Sequence, residues 1–423
     1  MRDQESAATA AQTESVLYFT IAYLIKLFIS PQLWVPGLVG FPADKVLLPL
    51  WLVSRFFVNR ARYLFSLPLQ DRLFLAWVLW IFVTSFVNDS NALTTTYLVN
   101  YSMWFVLFKL IKSSVITLRE LRVVCFWLVL IVMVLVAEGI QHFHAPDGRG
   151  WAGQPMGWAL AESGRSGRLQ WIGIFDGPGV FAVVYTTALP FVLRYLAPPY
   201  PKTWRLIALP MAAALFLAIY YTGSRGGFLA TLAILGLYLA YWLKISLSRL
   251  LLIGGILLGL VAVAPSFLVS THDSSRSAQH RVEVWADGVD MTIENPVFGI
   301  GRGNYSNYTG TLIAHNSAIE AMGETGLPGL MLWLLLIYTS FKHLYLYHQQ
   351  TDSLQEKSLV AALGISIAGY IVSSMFVTLE YETFYMLLAL AGTTGWSLKQ
   401  PLRLQPRELF LIGGAVLGWL MVV

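Results

Sequence analysis

Three arginines stand where apolar and polar stretches of the sequence meet, and their side chains suit the binding of phosphate groups. Arg225 lies in YYTGSRGGFLA, between two apolar runs and with no acidic residue beside it, and Arg281 and Arg302 follow in the polar stretch 269–326. An ionisable residue at membrane depth is costly and indicates a function, and the alternative for Arg225 is a helix-end side chain that reaches towards the membrane surface. A guanidinium forms planar bidentate hydrogen bonds to a diphosphate, which the point charge of lysine does not reproduce. The three arginines predict a site for a diphosphate.

A histidine at the end of the same polar stretch is a candidate general base. In AHNSAIEAMGETGLPGLMLW, the spacing predicts that His315, Ile319 and Met322 share one helical face, and that Gly326 with Pro328 ends this helix and begins the next. Imidazole is the side chain whose ordinary pKa suits proton transfer near neutral pH. The alternative is a hydrogen-bonded histidine at a helix start, without a role in catalysis.

From Arg281 to Arg302, the sequence predicts a short amphipathic helix followed by a glycine-rich turn. In RVEVWADGVDMTIENP, Arg281, Trp285, Val289 and Thr292 recur at helical spacing, and the Asn-Pro pair ends the pattern. The next residues, FGIGRGNY, place three glycines around Arg302, and such a turn is able to accept an anion.

Apolar segments make up most of the chain and must position these residues. Of 423 residues, 57% are hydrophobic and 12% are charged, which is typical of a protein in lipid. Many apolar runs reach the roughly 18 residues that cross a bilayer core, and their backbone requires helices there. The sequence predicts one all-α polytopic membrane domain, residues 1–423, with about twelve transmembrane helices. The predicted spans are 16–35, 45–58, 72–88, 94–111, 121–138, 173–193, 206–222, 226–243, 250–268, 327–347, 358–379 and 383–398, with the tail 409–423 as a candidate thirteenth.

Basic residues are distributed unevenly between the two sides of these spans. With a cytoplasmic N-terminus, most lysines and arginines fall on the cytoplasmic side, as the positive-inside rule requires. Two long polar loops, 139–172 and 269–326, then face the periplasm, and the segment 145–172 is predicted to be irregular. Because the basic residues are dispersed and not clustered on one face, we expect no nucleic-acid partner.

Motifs between residues 220 and 335 resemble the O-antigen ligase and polymerase superfamily, which consists of membrane glycosyltransferases acting on undecaprenyl-diphosphate-linked glycans. The most specific of these motifs is a His-Asn pair followed after nine residues by G-x-x-G. The residues that carry the resemblance are Ser224, Arg225 and Gly226, then Arg281, Trp285, Asn295, Pro296, Gly299 and Gly301, and finally His315, Asn316, Gly326 and Gly329.

The resemblance implies a GT-C-like helical fold and an inverting, metal-independent transfer at the periplasmic face of the bacterial inner membrane. It implies that Arg225 and Arg281 hold the donor diphosphate and that His315 deprotonates the acceptor hydroxyl. The donor would be an undecaprenyl-diphosphate-linked oligosaccharide or polysaccharide, and the acceptor a glycan or lipid A-core, with membrane lipids around the protein. The further residues expected to bind substrate are Ser224, Trp285, Arg302 and Asn316.

A catalytic metal is the main chemical alternative. Magnesium would require paired carboxylates beside the phosphates, and the spacing of the available acidic residues and histidines fits no tight ligand set. A single cysteine, Cys125, excludes a disulfide framework and a cysteine-based metal site. We therefore expect no cofactor. The candidate ligands in the sequence are His272, Asp273, His280, Asp287, Asp290, Glu380 and Glu382.

Three functions remain open at this point. A polymerase joins repeat units on the lipid carrier, whereas a ligase moves the glycan to lipid A-core, and both use the same donor chemistry. The compact step from Arg281 to His315 slightly favours the polymerase. A transporter of lipid-linked sugars would need polar residues spread through several spans and, usually, an internal repeat. The sequence has no visible repeat, and its candidate residues gather on one side.

Overall fold

The computed structural model describes residues 17–58, 60–88, 92–161, 164–245, 249, 272–310 and 313–422. For 92–94, 158–161, 164–166, 272–282, 415 and 417–422 it describes the backbone alone. The elements in chain order are α1 (Leu17–Phe28), α2 (Ala43–Phe57), α3 (Ala61–Phe65), α4 (Leu69–Val87), α5 (Ala92–Ser114), α6 (Leu118–His144), β1 (Gly157–Ala161), β2 (Gly164–Arg168), α7 (Pro178–Leu193), α8 (Arg205–Thr222), α9 (Arg225–Trp242), α10 (His272–Glu294), α11 (Tyr305–Tyr308), α12 (Ser317–Gln350), α13 (Leu354–Ser374), α14 (Glu382–Thr393) and α15 (Pro406–Val422). The predicted all-α class is confirmed, apart from the small hairpin of β1 and β2.

Seven helices in the described part of the chain are long and apolar enough to cross a membrane. They are α4, α6, α7 with its 3-10 extension, α8, α9, α12 and α13. The predicted number of about twelve spans stays a prediction. Five other predicted spans coincide with α1, α2, α5, α14 and α15, and the predicted span 250–268 lies outside the described residues.

Local sequence signals explain where the long helices begin. Thr117 and Glu120 form a capping box at the start of α6: the Thr117 hydroxyl accepts from the Glu120 amide at 3.2 Å, and the Glu120 carboxylate accepts from the Thr117 amide at 3.0 Å. α7 begins with Pro178, whose missing N–H costs nothing at a first helical position. From Val180 to Leu193 every side chain of α7 is buried, which marks it as an interior helix.

Two helices organise the packing of the others. α12 packs against α4, α10, α13, α14 and α15, while α7 packs against α6, α8, α9 and α13. An aromatic cluster fills the space where α4, α5 and α14 meet, with the rings of Phe74 and Tyr385 stacked at 4.5 Å and those of Trp104 and Tyr385 at 5.5 Å. The packing of these helices fixes the positions of the helix ends on which the candidate residues lie.

Three predictions about the polar loops need correction. The segment 145–172 is not wholly irregular, because β1 and β2 pair antiparallel within it. The amphipathic helix α10 has 23 residues and is longer than the sequence pattern predicted. α12 begins at Ser317, so that His315 lies before the helix and shares no helical face with Ile319 and Met322. The predicted break at Gly326 is confirmed, since its φ of 69° kinks α12 there.

Candidate functional site

Arg225 stands at the positive end of α9, at a tight junction with α8. Gly223 ends α8 in the left-handed conformation, with φ 57°, and Ser224 caps α9 by accepting from the Gly227 amide at 3.1 Å. Arg168, at the end of β2, donates to the carbonyls of Thr222 and Gly223 at 3.0 and 2.9 Å. Ser224 is buried by this arrangement, whereas the Arg225 side chain is exposed.

His315 lies in a strained turn that its neighbours hold in place. Its φ of 50° is in the left-handed region, which is unfavourable for most residues other than glycine. The Trp285 indole donates to the Ala314 carbonyl at 2.9 Å, and the buried Asn316 side chain accepts from the amides of Ala318 and Ile319 at 3.1 and 3.3 Å. Trp285 and Asn316 therefore fix the residues on both sides of the half-buried His315, and Asn316, not His315, caps α12.

Residues 375–381, between α13 and α14, form a linking loop that joins these two junctions. Phe376 packs so closely on Gly226 that a Cβ at Gly226 would lie 2.9 Å from the Phe376 Cβ. Farther along the loop, the Leu379 amide donates to the Ser317 hydroxyl at 2.9 Å. One loop thus contacts the residue after Arg225 and a residue two positions after His315. The predicted spans 358–379 and 383–398 leave only residues 380–382 for this loop, because its first half lies inside an apolar run.

The N-terminal turns of three helices contact the linking loop. α9 meets it through Gly226, and α12 meets it through Ser317. α7 begins beside the loop and the cap of α9, since a Cβ at Gly179 would lie 2.7 Å from Val377 and 4.0 Å from the Ser224 hydroxyl. Each helix N-terminus carries a partial positive charge and favours a bound anion. The arrangement is suited to an anionic substrate group close to Arg225.

Arg302 is buried among three glutamates and holds the linking loop to α12. Its guanidinium lies 2.8 Å from Glu324, 2.9 Å from Glu380 and 3.6 Å from Glu320. Thr378 of the loop donates to Glu320 at 2.6 Å. Burial is the main cause that raises the pKa of the Glu380 carboxyl, and Arg302 opposes it. Because these carboxylates occupy Arg302, we do not assign it to the substrate diphosphate.

The glycine-rich turn around Arg302 binds the kink of α12. The amides of Ile300 and Gly301 donate to the carbonyls of Gly323 and Glu324 at 3.1 and 2.9 Å. The Tyr305 amide donates to the Glu324 carboxylate at 2.9 Å, and the Gly303 backbone also hydrogen-bonds to it. The anion that this turn accepts is therefore the protein's own Glu324. Glu324 is distant in sequence from the turn, so that the FGIGRGNY motif alone did not predict it as the partner.

The structure describes fewer details of Arg281 and of the candidate metal ligands. Arg281 lies in α10, and the structure describes its backbone but not its side chain. Within the described part of the chain, no three His, Cys, Asp or Glu side chains are grouped to hold a metal. Glu382 lies 3.8 Å from Lys26 and accepts from the Tyr23 hydroxyl at 2.5 Å, while Glu380 faces Arg302. The side chains of His272, Asp273 and His280 lie outside the described residues.

We expect Arg302→Met to destabilise the protein strongly, because it leaves three buried carboxylates without their cation. Breaking a buried ion pair from one side typically costs about 3–5 kcal/mol. Thermal unfolding in detergent measures the effect, with Lys342→Met as the matched control, since Lys342 pairs with the more accessible Glu408. Adding Glu324→Gln and Glu380→Gln to Arg302→Met should restore part of the loss. Equal unfolding temperatures for Arg302→Met and Lys342→Met would contradict this role.

Comparison with known proteins agrees with the motifs. A family model described as O-antigen ligase matches residues 210–334, the stretch from α8 to the kinked part of α12. No curated protein matches the chain. The predicted resemblance to the O-antigen ligase and polymerase superfamily is confirmed over this stretch. Together with the seven apolar helices, it indicates a multi-pass membrane protein of glycosyltransferase type.

Proposed function

We propose that the protein transfers a glycan from an undecaprenyl-diphosphate donor to a hydroxyl of an acceptor glycan, at the periplasmic face of the bacterial inner membrane. The observation that carries this proposal is the linking loop, on which the N-termini of α7, α9 and α12 converge. It joins the exposed Arg225 to the turn that holds His315. A candidate anion site and a candidate base are therefore connected by one loop.

Arg225 and Arg281 bind the donor diphosphate in this proposal. As the bond to the sugar breaks, negative charge develops on the leaving diphosphate, and preorganised donors that face this charge lower the barrier most. The exposed Arg225 adds its guanidinium to the positive end of α9. This exposure supports a role for the Arg225 fork in binding the leaving group without the help of Arg302.

His315 takes the proton of the acceptor. The hydroxyl oxygen of the acceptor forms a bond to the anomeric carbon of the donor sugar, the bond from that carbon to the diphosphate breaks, and the proton passes to the imidazole. Undecaprenyl diphosphate leaves, and the sugar carbon is inverted. Trp285 and Asn316 act on this step by positioning His315 through its neighbours. No metal is required, since arginines and helix N-termini balance the charge.

The orientation and the acceptor are part of the same proposal. The positive-inside distribution of basic residues supports a periplasmic position of the linking loop. We favour repeat-unit polymerisation over ligation to lipid A-core because Arg281 and His315 are close in sequence. Transport of a lipid-linked sugar is disfavoured, because Ser224, Arg225 and His315 lie at helix ends joined by one loop.

The test is transfer by purified protein from a synthetic lipid-diphosphate glycan donor, with a chelator present throughout. A ladder of longer lipid-linked products identifies a polymerase, and a product on added lipid A-core identifies a ligase. Right-side-out vesicles should use donor and acceptor added outside, whereas sealed inverted vesicles should not. Absence of both products would contradict the function. Activity that disappears in chelator and returns with Mg²⁺ or Mn²⁺ would contradict the metal-free mechanism.

A further inference from the structure

A second site lies at the opposite end of the helices that form the candidate site. α7 begins and α8 ends beside Arg225, whereas the C-terminal end of α7, the N-terminal end of α8 and the first turns of α6 line a crevice of about 150 Å³. α8 alone spans 18 residues, which is about 27 Å of helix. The crevice is therefore separate from the proposed transfer site.

The walls of the crevice are apolar and open towards the side of the helices. Phe126, Val129, Phe191, Ile207 and Met211 contribute to its lining. Phe126 is 59% exposed and Ile207 is 56% exposed, although both belong to helices apolar enough to span a membrane. An opening of this kind faces lipid in a membrane protein, so that an acyl chain is able to enter it from the bilayer.

Two arginines lie at the same crevice. Arg122 is exposed, whereas Arg194 is buried, with 2% of its surface accessible. Arg194 donates to the hydroxyls of Tyr200 and Tyr195 at 2.6 and 3.4 Å, and its Nε is buried without a hydrogen-bond partner. Among the described residues, neither arginine forms an ion pair with a carboxylate. A buried charge without a counter-charge is costly, and a bound anion would offset that cost.

Aromatic residues cluster beside the arginines at this end of the helices. The rings of Tyr195 and Trp204 stack at 5.1 Å, and the Arg194 guanidinium lies 4.9 Å from the centre of the Tyr195 ring. Tyrosine and tryptophan prefer the headgroup region of membranes. The crevice thus offers positive charge at headgroup level and an apolar wall beside it.

We propose that this crevice binds an anionic glycerophospholipid of the surrounding bilayer, with its phosphate at Arg122 and Arg194 and one acyl chain along the apolar wall. The lateral opening favours a lipid over a soluble anion, and the two unneutralised arginines favour an acidic lipid over a zwitterionic one. The bound lipid holds the ends of α6, α7 and α8 together. This role does not depend on the proposed transfer reaction.

The experiment compares phosphatidylglycerol with phosphatidylcholine on delipidated protein in detergent. Native mass spectrometry measures the bound lipid, and thermal unfolding measures the stabilisation that a ligand of the folded state provides. We expect phosphatidylglycerol to bind and to raise the unfolding temperature, and phosphatidylcholine to have little effect. Arg122→Gln should weaken phosphatidylglycerol binding roughly tenfold, because it removes an ionic hydrogen bond.

Two further variants make the result specific to the crevice. Val129→Trp fills the apolar wall and should also weaken binding, whereas Lys202→Gln removes an exposed charge that does not line the crevice and should leave binding unchanged. Equal binding of both lipids, or wild-type binding by Arg122→Gln, would overturn the proposal. Displacement of phosphatidylglycerol by an equal concentration of a polyprenyl phosphate would assign the crevice to another lipid and overturn it as well.

Discussion

His315→Asn should lower glycan transfer by about 10²–10⁴-fold while the protein keeps its unfolding temperature. Asparagine cannot take up a proton near neutral pH, so that the proposed base is lost. The left-handed backbone of residue 315, with φ 50°, suits asparagine better than most residues, and the change therefore adds no strain. The measurement is turnover by purified protein with the lipid-diphosphate donor, together with binding of that donor, which should persist.

Two control variants separate catalysis from the structure of this turn. Asn316→Ala removes the cap of α12 and should cost about 1 kcal/mol of stability, a loss that His315→Asn does not share. His348→Asn changes a histidine near the far end of α12 and should leave turnover normal. If His315→Asn turns over at close to the wild-type rate, His315 is not the base.

The sequence predicted the parts of the site that depend on neighbouring residues. The predicted spans 206–222 and 226–243 match α8 (Arg205–Thr222) and α9 (Arg225–Trp242), between which Arg225 lies. Gly326 kinks α12, because glycine followed closely by proline interrupts a helix. The lengths of the apolar runs predicted the bounds of most long helices to within a few residues. For α4, the predicted bounds were 72–88 and the observed bounds are Leu69–Val87. These features arise from local backbone preferences and from the thickness of the bilayer.

The features that were missed depend on contacts between distant parts of the chain. Glu380 meets Arg302 across 78 positions, and Leu379 meets Ser317 across 62. No periodicity within one segment predicts such contacts. One signal was available, since Glu320, Glu324 and Glu380 are acidic residues in or beside apolar runs. Acidic residues at membrane depth require a partner, and Arg302, which we had assigned to the substrate, is close to two of them in sequence.

Arg225→Lys should lower transfer by about 10²-fold, in the range observed when one donor to a developing negative charge is removed, while folding is unaffected. Lysine keeps the charge but not the planar fork that binds a diphosphate. If Arg225 only reached from the helix end towards the membrane surface, lysine would serve equally well and transfer would be normal. Transfer from the lipid-diphosphate donor distinguishes the two roles, with Arg205→Lys at the other end of α8 as the matched control.

The position of Arg225 gives this prediction a second readout. A cation at a helix N-terminus is unfavourable by about 0.3–1 kcal/mol, and Arg225 is the first residue of α9. Arg225→Gln should therefore unfold at the wild-type temperature or slightly above it, although it transfers less glycan than Arg225→Lys. If Arg225 lowers the stability of the folded protein and is nevertheless needed for turnover, its role is to bind the substrate. Loss of stability in Arg225→Gln, in proportion to its loss of transfer, would instead identify Arg225 as a structural residue of the α8–α9 junction.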